Sequence, residues 1–339
     1  MEPKAANALT SFLLPVDGSE NSLRALHFAG CLAAGLGDRV RNITLLHVLA
    51  GHYLSEHMSN VDFRTKEVLE SGLFRRLKEQ YIETTVAPIL DAAEGAIRQM
   101  GAKTPVAREV LDGDPAEKIA KTAEEGGFST IILARRGVSL AREVLLGSVT
   151  STLLHLPYHP TTYVVGTKVL KDGACPVPKI LVPLDGSRSS LAALREASVI
   201  ARSSGNCLER VELLRVIDLA RYPERVAGGE RPEEEAGRIL AEGEAVLAEK
   251  GVPRDCVKTN VVYGRPAEAI LDAAREKDAT LIMMGRLGRS AVRDLIIGGV
   301  SSEVVHRAVE PTVAVVCADG ECKEPWERIK SEEVHCDVL

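Results

Sequence analysis

The sequence predicts an α/β protein made of two tandem, doubly wound domains, each with a five-stranded parallel sheet. Three observations point there. Long stretches of the 339-residue chain occur twice in the same order. Within each copy, short apolar runs alternate with longer helical patterns, which is the signature of βαβ units and a parallel sheet. Aromatic residues are only 4% of a chain that is 45% hydrophobic. Its cores are therefore built from Val, Ile, Leu and Ala, the residues favoured by strands buried on both faces.

The repeat is visible by eye, and such repeats decide the architecture before any local reading. FLLPVDGSENSLRALHFA, from Phe12, matches ILVPLDGSRSSLAALREA, from Ile180, at an offset of 168 (180 less 12). The same offset aligns LLHV at 45–48 with LLRV at 213–216. Further on, GDPAEKI from Gly113 matches GRPAEAI from Gly264, an offset of 151 (264 less 113). That offset also aligns IILARRG at 131–137 with IMMGRLG at 282–288, and Pro160–Thr161 with Pro311–Thr312. The first copy thus carries 17 additional residues (168 less 151), placed by their irregular pattern near 50–72. The first domain is expected over 8–166, a Gly- and Pro-containing linker over 167–178, the second domain over 179–317 and a tail over 318–339.

The second copy shows the elements most clearly. Residues 179–184 are a continuous apolar run ended by Asp-Gly-Ser, a buried strand leading into a helix. Ser187 is placed to cap that helix, because its hydroxyl can satisfy an orphan backbone N–H. Leu191, Leu194, Ala197 and Ala201 then recur at helical spacing. Strands are expected at 208–216, 255–263, 279–284 and 312–317, and helices at 233–249, 266–275 and 299–309. Pro266 sits at a helix's first turn, where its missing N–H costs nothing.

Composition excludes several classes. The formal charge of −6 offers no general basic footprint for nucleic acid, although Arg135–Arg136 is a short basic piece. No apolar run approaches the ~20 residues a membrane-spanning helix needs. The five-residue apolar stretch from Phe12 to Val16 is too short for a secretory signal, so a cytoplasmic location is expected. The seven scattered cysteines read as reduced thiols rather than a disulfide framework.

In open parallel sheets, ligands bind beyond the carboxyl ends of the strands. Pro183-Leu184-Asp185-Gly186-Ser187 lies at such an end. Asp185 there can accept hydrogen bonds from a ribose hydroxyl or polarise a ligand amine, or it can simply cap the following helix. Gly285-Arg286-Leu287-Gly288 ends the fourth strand and is followed by Gly298-Gly299 opening a helix. Glycines admit close backbone approach, and a helix N-terminus carries free N–H groups and partial positive charge suited to phosphate. Arg286, Arg289 and Arg293 add charge to this loop, or are ordinary solvated arginines.

P-[VL]-D-G-S at the first strand, with G-x-x-G-x₉-G-[GS] after the fourth, resembles the universal stress protein family in its tandem, two-domain form. The resemblance spans about 10–166 and 178–317. It implies a Rossmann-like five-stranded sheet and, as in many members, an ATP pocket between the ends of strands one and two and the glycine motif. Carried onto the second copy, it places adenine and ribose near Pro183, Asp185, Val216, Met284 and Gly285, and the triphosphate on Gly288, Gly298 and Gly299. In the first copy it selects Asp17, Gly137, Gly147 and Ser148. It implies a regulatory, stress-adaptation module. A nucleotide-free scaffold and a slow ATPase are the alternatives. The two copies are expected to pack through their fifth strands, 161–166 and 312–317, and the chain could dimerise again.

Both copies depart from the pattern. Gly299 stands where Ser or Thr is usual, so a phosphate-binding hydroxyl is lost while the backbone N–H remains. Ala134 stands where the first glycine belongs; its methyl would crowd the ribose, or strain the backbone if φ > 0 is required. The second copy is therefore expected to bind nucleotide ahead of the first. No Walker sequence, dinucleotide G-x-G-x-x-G or G-x-S-x-G elbow occurs, and no catalytic constellation can be named. His52, His57, His155, His159 and His306 have no metal-ligand spacing and read as solvated or capping residues. Cys317, Cys322, His335 and Cys336 are soft ligands in the tail, but their C-x₄-C spacing is loose and no metal site is assigned.

Overall fold

Ten short strands hydrogen-bond into one sheet in the computed structural model, which describes residues 8–50, 72–136, 146–156, 160–168, 177–288 and 297–318. The first copy supplies β1 (Ser11–Pro15), β2 (Asn42–Leu49), β3 (Val106–Asp112), β4 (Thr130–Ala134) and β5 (Thr161–Val165). The second supplies β6 (Lys179–Pro183), β7 (Arg210–Asp218), β8 (Val257–Gly264), β9 (Leu281–Gly285) and β10 (Thr312–Val316). The order is β3-β2-β1-β4-β5-β10-β9-β6-β7-β8. Each half is parallel and doubly wound, and the single antiparallel pair is β5 with β10, at the centre. Two expected five-stranded sheets are thus one continuous sheet of ten.

The central register carries the symmetry. Tyr163 faces Ala314, Val164 faces Val313 and Thr162 faces Val315. Tyr163 and Ala314 are the same position of the two copies (314 less 163 is 151), so a local twofold axis passes between them. The two halves run in opposite directions, and their strand carboxyl ends open on opposite rims of the sheet.

Helices cover both faces. On one face lie α1 (Glu20–Leu36), α2 (Gly72–Tyr81), α3 (Ala87–Gln99), α6 (Arg188–Ser203) and α8 (Pro232–Glu249). A single apolar cluster there runs through both copies, from Phe12, Ala29 and Ile97 to Leu194, Leu213 and Leu247. On the other face, α4 (Pro115–Glu125), α5 (Ser148–Leu154), α9 (Pro266–Glu276) and α10 (Gly299–Arg307) cover two smaller clusters. β5, β9 and β10 are buried at every position, whereas the edge strands β3 and β8 are partly exposed along their length. That gradient is the burial of a doubly wound sheet, and it explains why the central strands read as unbroken apolar runs.

The extra residues of the first copy fall mostly on 51–71, outside the described residues. They continue into α2, which runs through a π-helical turn (Ile82–Val86) into α3. The second copy instead places a short helix, α7 (Tyr222–Ala227), before α8; its six residues are too few to show periodicity. At the start of the expected linker, Thr167 and Lys168 donate backbone N–H bonds to Val309 and Glu310 at 2.9 and 3.0 Å. Lys168 also pairs with Asp278, which Lys179 approaches at 3.0 Å. Among the described residues, no helix is long and apolar enough to cross a membrane.

Candidate functional site

The Asp-Gly-Ser turns are built alike in the two copies. Gly186 and Gly18 have φ of +78° and +79°, a conformation side chains disfavour, so each turn requires glycine. Asp185 accepts from the Ser187 amide at 2.9 Å, and Ser187 Oγ accepts from the Ser190 amide at 3.1 Å, capping α6. Asp17, Ser19 and Ser22 repeat this at 3.0 and 3.1 Å ahead of α1. The strand-end Asp is therefore a turn-former through one oxygen. Its other oxygen, Asp185 Oδ2, looks toward the glycine loop: a Cβ added to Gly288 would lie 2.9 Å from it. The first segment and the last loop of the motif, about 100 residues apart in sequence, meet at that point.

The rest of the loop is held by backbone bonds. Gly298 N–H donates to the Arg286 carbonyl at 2.8 Å, and Gly298 caps α10 with no side chain to satisfy the first-turn amides. Gly299 follows with open space around it and is exposed. Ser301 is committed elsewhere, donating from Oγ to the Gly285 carbonyl at 2.8 Å, so it does not replace the missing hydroxyl. This donor set of unshielded backbone N–H groups beside a carboxylate suits an anionic ligand that also carries hydroxyl or amine groups. In the first copy, Gly147 N–H meets the Arg135 carbonyl at 2.8 Å and Ser148 is exposed at the first position of α5. Gly137 lies outside the described residues.

Val216 and Met284 lie near the ends of β7 and β9 on the α9–α10 face, buried in one cluster with Ala267, Ile270 and Ile297. Pro183 is half-buried at the end of β6. Gly285 serves a different end. Its added Cβ would lie 2.6 Å from Ser189 Cβ and 2.7 Å from the Ser190 nitrogen, so the glycine lets α6 settle onto β9. Neither Gly285 nor Ala134 has positive φ. The expectation that Ala134 strains the backbone does not hold, because the position is ordinary strand in both copies.

The arginines of the loop also differ from expectation. Arg286 is 2% exposed, and Nη2 donates to the carbonyls of Leu154 and Leu156 at 2.8 and 2.6 Å, in the other copy. Its counterpart Arg135, 4% exposed, donates from Nη1 to Val305 and Ala308 at 2.7 and 2.6 Å and from Nη2 to His306 at 2.8 Å. Neither is a solvated loop charge, and Arg135 forms no basic patch. Burial, then the neighbouring Arg136 charge, lowers the Arg135 pKa. Arg289 and Arg293 lie outside the described residues.

Buried titratable groups also lie outside any motif. His47 Nδ1 pairs with the Val16 carbonyl at 2.8 Å; burial depresses its pKa, against that bond and the charge of Asp17. Arg215 takes the corresponding place in the second copy (215 less 47 is 168) and pairs with Glu235 at 3.5 Å. Glu196, 4% exposed on α6, receives hydrogen bonds from Thr161 Oγ1 at 2.8 Å and the Tyr163 hydroxyl at 2.7 Å. The only signal for these was a polar residue interrupting an otherwise apolar face. His155 and His306 bond back to Ser151 and Ser302 at 2.8 Å, as helix-end residues. His52, His57 and His159 fall outside the described residues. So do Cys322, His335 and Cys336, and no metal-ligand cluster occurs among the described ones. Cys31, Cys207 and Cys256 are in no disulfide, but Cys317, buried just past β10, is disulfide-bonded, which corrects the expectation of reduced thiols throughout.

The fold and site together define a tandem, doubly wound α/β protein with a strand-end Asp turn and a glycine-led helix in each copy. The model of the universal stress protein family matches residues 9–164 and again 176–316, and the chain belongs to that family. A universal stress protein of Mycolicibacterium smegmatis is 29% identical over 305 residues, covering 89% of this chain and 96% of that relative. The crystal structure of a universal stress protein from Archaeoglobus fulgidus covers 91% of this chain and 98% of its own, with TM-score 0.60 at 24% identity. A functionally unknown protein of Pseudomonas aeruginosa covers 97% of this chain and 99% of its own, with TM-score 0.59 at 14% identity. Both likenesses are of fold.

Proposed function

We propose that the chain is a regulatory module that binds an adenine nucleotide, ATP by preference, in its second copy. The observation that carries the reading is the meeting of Asp185 Oδ2 with Gly288 beside the uncapped amides of α10. Only a residue without a side chain at 288 leaves room between the carboxylate and the helix end. Phosphate oxygens would lie against Gly288 and Gly298 and take the first-turn N–H groups of Gly299 and Val300, since the Gly298 N–H is held by the Arg286 carbonyl; the helix dipole there favours negative charge. Asp185 would accept from ribose or adenine donors. Val216 and Met284 offer apolar surface at the strand ends for the base.

The first copy is the weaker candidate on the described residues. Ala134 replaces the first glycine, although Ser148 restores the hydroxyl that Gly299 lacks. Binding, rather than turnover, is the activity proposed: the described carboxylate at this site, Asp185, is assigned to ribose or adenine donors and to the turn it forms with Ser187. Mass spectrometry of a denatured extract tests the reading directly by identifying any copurified nucleotide. ATP is expected to raise the melting temperature, and Gly288→Val with Gly298→Val to abolish the rise. An unchanged melting curve at millimolar ATP, with no copurified nucleotide, would favour a nucleotide-free scaffold.

A further inference from the structure

We propose that Arg135, in the first copy, is a positioning residue for the glycine loop of the second copy. The inference rests on the nucleotide reading for its ligand but not for its geometry. Arg135 does not reach the loop itself. It holds the opposite end of the helix on which the loop depends, through hydrogen bonds to Val305, His306 and Ala308 at 2.6–2.8 Å.

The contacts close into a ring. Arg135 clamps the C-terminal carbonyls of α10, where a buried guanidinium answers both unpaired carbonyls and the negative end of the helix dipole. At its other end, α10 is seated on the β9 loop by Gly298 N–H to Arg286 O and by Ser301 Oγ to Gly285 O, both 2.8 Å. From the same loop residue, the Arg286 side chain crosses to the Leu154 and Leu156 carbonyls at the end of α5. At its start, α5 is seated by Gly147 N–H on Arg135 O at 2.8 Å and by Thr150 Oγ1 on Ala134 O at 2.9 Å. Two arginines and two helices therefore connect the two glycine loops, each arginine belonging by its backbone to one loop and by its side chain to the helix of the other.

α10 is only nine residues long, a rod of two and a half turns packed on both its ends. A rod held at its far end cannot tilt freely, and the first-turn amides of Gly299 and Val300 keep their aim. Releasing the clamp loosens that aim without touching the ligand. Arg is suited to this because its rigid planar fork spreads its donors over separate carbonyls, whereas the Lys ammonium gathers its three at one nitrogen.

The test uses the full chain carrying Arg135→Gln, with Arg135→Lys as the milder variant should the first fold poorly. Two readouts are taken: ATP titration calorimetry, with the second-copy site recognised as the one lost in Gly298→Val, and hydrogen exchange resolved over α10. Arg135→Gln is expected to weaken ATP at that site about fivefold or more, the lower range of coupling between distant sites. Exchange is expected to quicken at residues 298–302 as well as at 305–308, with Arg135→Lys between the two proteins in both readouts. Faster exchange confined to 305–308 with unchanged ATP affinity would make Arg135 an ordinary helix cap and overturn the proposal. If the unmodified chain binds no ATP, the nucleotide reading fails alone, and the exchange pattern at 298–302 still decides the positioning role.

Discussion

Tyr163 donates its hydroxyl to the Glu196 carboxylate at 2.7 Å across the seam between the two copies, on the local twofold axis where symmetry would set Ala314 against Phe28. Burial and the Glu196 charge push the phenol well above its ordinary pKa. The seam is thus polar on one side of the axis and apolar on the other. Tyr163→Phe should destabilise the chain by about 1–3 kcal/mol, because a buried carboxylate oxygen loses its donor. Thermal melting measures the effect. A double-mutant cycle with Glu196→Gln should show coupling between the two positions, and additivity would contradict the contact.

Gly285 and Gly288 should respond differently to alanine. At 285 the new Cβ meets the α6 backbone within 2.7 Å, so the melting temperature should fall clearly. At 288 it meets no backbone, only Asp185 Oδ2 at 2.9 Å, so stability should fall less while the methyl fills the space beside the carboxylate and ATP binding drops. Equal melting losses in the two variants would contradict this division of labour.

Gly299→Ser restores a hydroxyl in a position with nothing within 4 Å. A hydrogen bond to a charged group contributes roughly 1.5–3 kcal/mol, so ATP affinity should rise roughly ten- to a hundredfold with little change in melting. Calorimetry on the two proteins side by side decides it, and a lower affinity would count against phosphate at this helix end.

Asp278 links the start of the linker segment to the second copy. Hydrogen bonds and charge from Lys168 and Lys179 lower its pKa from 3.8 to about 2. A depressed carboxylate pKa means that its contribution is present above about pH 4 and is lost as pH falls towards 2. The carboxylate is exposed, so solvent screening keeps the effect modest. Asp278→Asn should flatten the acid limb of the stability curve over that window. Asn is the apt replacement because residue 278 has φ of +53°, which Asn tolerates. Identical acid unfolding of both proteins would show that the clamp contributes nothing.

Much of this architecture was legible in the residues. The repeat offsets located both copies, and the strands buried on two faces announced themselves as apolar runs. The Asp-Gly-Ser cap was readable because its chemistry is local: Ser187 reaches an amide three residues away. What could not be read was long-range. An arginine following an apolar strand looks the same whether water or another helix surrounds it, and Arg135 meets its partners 170–173 residues later. Gly285 posed the same difficulty, since a glycine demanded by helix packing is indistinguishable in sequence from one demanded by a ligand. The helix α7 was missed because it is shorter than any window over which periodicity can be judged.

The antiparallel join at the centre also governs what happens if the chain is divided. β5 and β10 are interior strands only because each covers the other, and both are buried at every position. Cleavage in the stretch between the copies, followed by separation, would turn these two fully buried strands into bare borders with unpaired backbone groups, the kind of surface that recruits any extended chain it meets. Covalent tandem duplication therefore acts as a form of protection: it keeps the vulnerable border of each half on the same chain as its intended mate.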